Sequence, residues 1–443
     1  MRQTLLIIWM NGERVGTWRR LSDNEEEFTY DRQWVDSPNV RPISLSLPIS
    51  MDRSAIRSEA VKSFFENLLP ENESLRQHLA RRFNVRADDA FSLLSAIGRD
   101  CIGAIQILSP TETPASIDGF DSKELTEHEI AERLRGSVNP YGALDEFNDE
   151  DFRISLAGVQ SKIALLKHDG KWFAPRGTTP TTHILKMPMG RIGPIQADFS
   201  DSVDNEWLCL KLGNALGLDC ANATIEKFED QRVLVVERFD RRLSADRKRI
   251  LRLPQEDFCQ ALGLPPSMKY ESDGGPGASD VMAILRQSLQ PRKDLETFLL
   301  SLVYFWLLRA TDGHAKNYSI MLLSQNRYRL AKLYDIVSTW PAVGNGPHQL
   351  KPQQLKFAMA LEGKRRHYRM ERVRVHNFIR TAALAGLSER HVYDLIEEFL
   401  KKVPSACEAL SHTLPEGFSK RVADRIFAGV LNSSDELLEE MNQ

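Results

Sequence analysis

The stretch Arg309-Ala-Thr-Asp-Gly-His-Ala-Lys-Asn317 gathers a carboxylate, an imidazole and a side-chain amide just after an apolar run that reads as a buried helix. Asp312 and Asn317 stand five positions apart. Phosphoryl-transfer enzymes of the protein-kinase class use that spacing to aim one carboxylate at an acceptor hydroxyl and one amide oxygen at magnesium. A second carboxylate, Asp335 in Leu333-Tyr-Asp-Ile336, arrives after one predicted hairpin and can join Asn317 at the metal. Read singly, Asp312-Gly313 is a turn, Asn317 caps it and Asp335 ends a strand. The ordered set asks for more, because hard oxygen ligands gathered beside an apolar helix need a reason to be there.

Upstream, Lys186 lies inside the otherwise apolar strand pattern Thr182-His-Ile-Leu-Lys-Met-Pro188. A lysine there is costly unless paired. A strand lysine that holds phosphates and is steadied by a helix carboxylate would explain it, with Glu206 the nearest candidate and Asp204 and Asn205 as neighbours. An edge lysine snorkelling to water is the alternative. Before it, Arg153-Ile-Ser-Leu-Ala-Gly-Val-Gln-Ser-Lys162 is small and polar and could cover phosphates with backbone amides and Lys162. It lacks both glycine-rich phosphate-binding patterns, and Ser155 by itself is a loop serine.

The elements that must position these groups fall into three segments. Leu5–Met10, Asn11-Gly12 and 14–21 read as a hairpin with a type I′ turn, followed by helical spacing over 60–69 and 75–83. The loop Ser109-Pro-Thr-Glu-Thr-Pro114 suggests a boundary near 110. From 111 to 252 the pattern is strand-rich, with strands expected at 162–167, 182–187, 223–228 and 232–239 and one helix, 203–216, stopping at Gly217. From 253 to 443 the signals are helical, at 294–311, 372–385, 389–402 (Ser388 as N-cap) and 421–431, apart from a hairpin at 318–333. The expected fold is α+β and bilobed: an N-terminal β-rich subdomain at 1–110, a nucleotide-binding lobe at 111–252, and an all-helical catalytic lobe at 253–443.

Composition permits this. The chain has 443 residues, 42% hydrophobic and 27% charged, with a formal charge of -3. Several cores are possible at that length, and nothing marks the whole molecule as a nucleic-acid binder. Five scattered cysteines suggest neither a zinc site nor a disulfide framework. The opening segment lacks a signal-peptide pattern, and the longest apolar stretch, Phe298 to Leu308, is shorter than the roughly 20 residues a membrane helix needs. The expectation is a cytoplasmic protein with no membrane partner.

Ile154-Ser-Leu-Ala-Gly-Val-Gln160, Thr181 to Pro188, Asp204-Asn-Glu206, Val236-Glu-Arg-Phe-Asp-Arg-Arg242, Leu253 to Asp257, Lys269-Tyr-Glu-Ser-Asp-Gly-Gly-Pro-Gly277, Ala310 to Asn317 and Tyr334-Asp-Ile336 together resemble the HipA family of toxin kinases. Leu45-Ser-Leu-Pro48 and the first hairpin resemble that family's N-terminal subdomain, so the likeness spans roughly residues 3 to 430. It implies a kinase-like core distantly similar to lipid kinases, acting on ATP with Mg2+. Asp312 would be the catalytic base, Asn317 and Asp335 the magnesium ligands and Lys186 the phosphate lysine. Ser155, Lys162 and His314 would lie at the ATP phosphates, and Glu237 and Phe239 would be hinge residues meeting the adenine. Ser155 would also match an autophosphorylated serine that switches the kinase off.

The likeness further implies a protein substrate among translation components, notably an aminoacyl-tRNA synthetase, and a HipB-like DNA-binding antitoxin, with DNA contacted only inside that complex. Ser161 replaces an acidic residue of better-known members, and the C-terminal region diverges most. A basic segment, Lys351 to Arg380, reads as a solvated face, with DNA contact in an antitoxin complex as its functional alternative. A catalytically weak ATP-binding corepressor is the competing class of function.

Overall fold

Asn11 and Gly12 take φ of 47° and 86°. A two-residue type I′ turn demands positive φ at both positions, and Leu5–Met10 and Glu13–Arg20 pair antiparallel around it. The structure, a computed structural model, describes residues 4–21, 25–50, 52, 54–114, 120–138 and 160–443. The first hairpin grows into a four-stranded antiparallel sheet in the order Glu26–Tyr30, Glu13–Arg20, Leu5–Met10, Ile105–Leu108. Helices Glu59–Glu66 and Ala90–Ile97 supply its core, where the Trp18 ring stacks on Phe65 at 3.7 Å.

A second, six-stranded antiparallel sheet runs Ala223–Phe228, Gln231–Glu237, His183–Lys186, Lys162–His168, Lys171–Pro175, Ser122–Glu124. Ile130, Ala131 and Leu134 of helix Glu127–Val138 share a core with Trp172, Leu185, Val233 and Val235 of this sheet. That helix was not expected from the sequence, which reads there as charged. Helix Ser202–Ala215 packs against the strands at 223–228 and 231–237, and it buries nearly its whole circumference because the helical lobe lies against it too. It ends at Gly217, whose φ of 92° lets the chain turn away.

The remaining chain is built around helix Pro291–Leu307, whose Phe298, Leu299, Leu302, Val303, Tyr304 and Phe305 lie in the largest core. Helices Val375–Leu384, Glu389–Lys401, Val403–Ser411 and Lys420–Met441 enclose it. Ser388 caps its helix by accepting the His391 N–H. The last helix runs ten residues beyond the expected Leu431, to Met441, because Ser433, Ser434 and Leu437 continue its buried face.

The fold is mixed α+β, but the third segment is predominantly rather than wholly helical. It carries a three-stranded sheet, Gln255–Asp257, Ser319–Leu322 and Tyr328–Leu330, and a hairpin, Lys356–Leu361 with His367–Arg369. The hairpin escapes a sequence reading because Phe357 to Leu361 is buried on both faces and so shows no alternation. Among the described residues no helix is long and apolar enough to cross a membrane.

Candidate active site

The buried helix Pro291–Leu307 delivers the loop that follows it. Arg309 takes a left-handed φ of 51°, and the Ala310 N–H bonds back to the Phe305 carbonyl at 2.8 Å, stopping the helix sharply. Gly313 then lies so close to Phe305 that a Cβ would sit 2.2 Å from the ring. The glycine is there for space, which presses the loop onto the helix end. Asn317 Nδ2 donates to the Asp312 carbonyl at 2.7 Å, which fixes the loop's curvature. The Asn317 side-chain oxygen accepts no hydrogen bond among the described residues, so it is left for something else. The Asp312 carboxylate is 64% exposed, and Tyr270 Oη donates to it at 2.5 Å.

Asp335 reaches the same region by a separate route. Leu333 bridges in parallel to Cys220, with the Ala221 N–H on the Leu333 carbonyl at 2.8 Å. Tyr334 donates its hydroxyl to the Lys316 carbonyl at 2.8 Å, tying the second loop to the first. Asp335 itself has a φ of 58°, a conformation that a residue with a Cβ keeps only when its surroundings insist.

Lys186 faces both elements. Its Nζ donates to Glu206 Oε1 and to Asp335 Oδ1, each at 2.6 Å. The three candidate partners on the helix at 202–215 are thereby sorted: Glu206 takes the lysine, Asp204 pairs with Arg232, and Asn205 holds both backbone groups of Ser338 at 2.8 Å. Desolvation disfavours the charged form of Lys186, but Asp335 and Glu206 outweigh it and hold the ammonium above its ordinary pKa. Desolvation likewise opposes charge on Asp335, and Lys186 and Lys162 outweigh it, holding the carboxyl well below the usual range. At Glu206 burial wins over Lys186 and lifts the carboxyl, so Asp335 is the firmer anion of the two. Lys162 pairs across the sheet with Lys186, and desolvation plus that neighbouring charge bring its pKa down to about 8.

His314 is buried beside Asp312, its Nε2 3.8 Å from Asp312 Oδ1, and its Nδ1 has no hydrogen-bond partner among the described residues. Burial lowers its pKa, so the ring is neutral at neutral pH. Glu237 ends its strand with its N–H already bonded to the Asn222 carbonyl at 2.9 Å, and the next N–H, of Arg238, goes to Thr182. The Phe239 N–H makes no hydrogen bond among the described residues, and its ring lies 5.8 Å from Tyr334. The structure thus brings Lys162, Lys186, Asp312, His314, Asn317 and Asp335 to one cleft, with Glu237 and Phe239 where the strand leaves the sheet. Ser155 lies outside the described residues.

Two contributions escape a sequence reading. Lys316 is buried, its Nζ 2.8 Å from both Asp257 Oδ2 and Asn67 Oδ1, which ties the loop at 309–317 to the strand at 255–257 and to the N-terminal module. Beyond the end of the strand at 231–237, Arg238, Asp240, Arg241, Arg252 and Asp100 form a buried ionic network. The dense charge of Val236 to Arg242 was the available signal, but its partner Asp100 lies more than a hundred residues away in sequence.

A strand lysine paired both to a helix carboxylate and to an Asp that lies beside an Asp–Asn loop is the architecture of a kinase. Matches to known proteins agree: residues 6–108 match the family model described as the HipA N-terminal domain, and 154–407 the HipA-like C-terminal domain. The chain is 35% identical over 344 residues to the Sinorhizobium fredii protein named "Putative kinase Y4mE", covering 76% of this chain and 78% of that one. It is 30% identical over 324 residues to the serine/threonine-protein kinase toxin HipA of Shewanella oneidensis, covering 70% and 69%. The HipA chain in the Shewanella oneidensis MR-1 complex of HipA, HipB and operator DNA shares the fold, with a TM-score of 0.80 at 23% identity over 99% of this chain and 98% of that one. The chain belongs to the HipA family and is a serine/threonine kinase of that type.

Proposed function

We propose that this kinase transfers the γ-phosphoryl group of Mg-ATP to a serine or threonine hydroxyl of another protein, with Asp312 receiving the hydroxyl proton. The observation that carries the reading is Lys186, held at 2.6 Å from both Glu206 and Asp335 and so set to meet phosphates at the mouth of the cleft. Asn317 and Asp335 would hold magnesium, a hard cation suited to carboxylate and amide oxygens. When bound, the metal would neutralise charge on the transferring group. Lys162 and His314 would line the phosphates, and the backbone at Glu237 and Phe239 would take the adenine edge. Catalysis is then mostly positioning and electrostatics.

Asp312→Asn should lower transfer of labelled phosphate from ATP to lysate protein by about 10² to 10⁴-fold, the scale for a positioned base. Mg-ATP affinity by calorimetry should be kept. An undiminished rate would remove the assignment.

The finer readings rest on family likeness. The target is a translation component such as an aminoacyl-tRNA synthetase, the partner a HipB-like antitoxin, and DNA is met only within that complex. Autophosphorylation of Ser155 would add about two negative charges near the ATP phosphates and so switch the kinase off. A Ser155→Ala protein should therefore stay active longer after ATP is added, as a time course of transfer would reveal.

A further inference from the structure

Tyr270 lies in the segment Lys269 to Gly277, beside the loop that carries Asp312. We propose that Tyr270 is a positioning residue for phosphoryl transfer, its hydroxyl holding one oxygen of Asp312 so that the other is turned to the acceptor hydroxyl. The inference rests on the reading of Asp312 as the base.

The contact is direct, Tyr270 Oη to Asp312 Oδ1 at 2.5 Å, the length of a charge-assisted O–H···O bond. What marks it as built is how firmly the tyrosine is held. Its ring meets the buried His314 edge-on at 4.9 Å. On one side, Lys269 reaches the N-terminal module through Glu71 at 2.6 Å, and its carbonyl accepts the Ala315 N–H of the catalytic loop at 3.2 Å. On the other side, Glu271 buries its carboxylate, accepting the Ala360 N–H at 2.6 Å and an Arg366 N–H at 2.8 Å. The turn closes so tightly that a Cβ on Gly275 would sit 1.9 Å from the Met268 carbonyl oxygen and 2.7 Å from that of Tyr270.

The need for such a clamp follows from exposure. An aspartate open to water samples several rotamers, and each turnover would have to freeze the right one. A phenol fixed by its own loop does this in advance. Because Tyr270 engages one carboxylate oxygen, the second stays available to take the acceptor proton.

The test uses the full-length protein, with labelled phosphate transfer from ATP to desalted lysate protein as the rate and calorimetry for Mg-ATP binding. Tyr270→Phe keeps the ring and removes the hydroxyl. It should lower the rate about 10- to 100-fold, the scale for losing an outer-shell orienting partner, with Tm and ATP affinity unchanged. In an Asp312→Asn background the same substitution should change the residual rate by less than about 2-fold, since the group it orients is gone. A wild-type rate in Tyr270→Phe, a faster rate, a loss matched by lost ATP affinity, or an equal loss in both backgrounds would each overturn the proposal. An Asp312→Asn protein at full rate would instead remove the base assignment itself.

Discussion

Two clusters of buried charge lie on either side of the strand that leaves the six-stranded sheet, and they are built to opposite ends. Beyond the end of that strand, Asp100 accepts from Arg241 at 2.9 Å, Arg252 at 3.0 Å and both the N–H and hydroxyl of Thr181. Arg238 grips Asp240 in a two-pronged pair at 3.0 and 2.7 Å and also donates to the Cys101 carbonyl and the Thr181 hydroxyl, while Arg241 reaches the carbonyls of Gly103 and Thr181 and Arg252 that of Thr178. Each of these side chains is 5% exposed or less. Burial would raise the Asp100 carboxyl, but three arginines overwhelm it and hold it far below the usual range. In the cleft, Asp335 keeps 34% of its side chain open, and Asn317 and His314 beside it keep polar atoms with no partner among the described residues. Saturated charge makes a rivet, and charge left partly unspent makes a site.

The comparison predicts that one carboxylate in each cluster fails differently. Asp335→Asn should cut phosphate transfer by about 10² to 10³-fold, the scale for losing one electrostatic stabiliser of a reacting group, and should weaken magnesium-dependent ATP binding in calorimetry. Its thermal melt should shift far less than that of Asp100→Asn. The latter strands three buried guanidinium groups, so it should cost about 3–5 kcal/mol of stability in chemical denaturation. Because Asp100 joins the N-terminal module to the segment at 238–252, ATP affinity should fall along with stability. A stable Asp100→Asn protein with intact ATP binding would dissolve the contrast.

The two clusters also differ in how far the sequence revealed them. Asp312 and Asn317 could be read as a pair because one short local loop carries both, and Asp335 follows them in sequence after a single hairpin. Lys186 stood out as a charge in an apolar strand, although its choice among Asp204, Asn205 and Glu206 needed coordinates, since all three are buried on one helix turn. The rivet was illegible because its logic is non-local: Asp100 looks like an ordinary loop aspartate until folding brings Arg238, Arg241 and Arg252 around it. Tyr270 shared that fate, lying 42 positions before the carboxylate it meets. The strand 223–228 was found to the residue, while the helix at 127–138 and the hairpin at 356–369 were missed because tertiary burial overrode the local pattern.

A third buried carboxylate, alone rather than clustered, gives the smallest and most conditional effect. Glu256 is fully buried where the N-terminal module meets the strand at 255–257; its Oε1 accepts the Leu45 N–H at 2.9 Å, and its Oε2 has no partner among the described residues. No cation answers it, so desolvation pushes its pKa up to about 8. The group is therefore protonated in the folded protein at neutral pH and ionised in the unfolded chain. A folded pKa above the unfolded one means stability falls as pH rises from the ordinary carboxylate range through about 8, and levels off beyond. Glu256→Gln keeps an acceptor for Leu45 and cannot ionise, so its Tm should exceed that of the parent by an amount that grows toward pH 8 and then holds. The difference should widen by up to about 1.4 kcal/mol per pH unit between the ordinary carboxylate range and about 8. Melts at pH 5, 7 and 9 measure it, and curves that run parallel across that range would mean the Glu256 carboxyl finds a partner as it ionises.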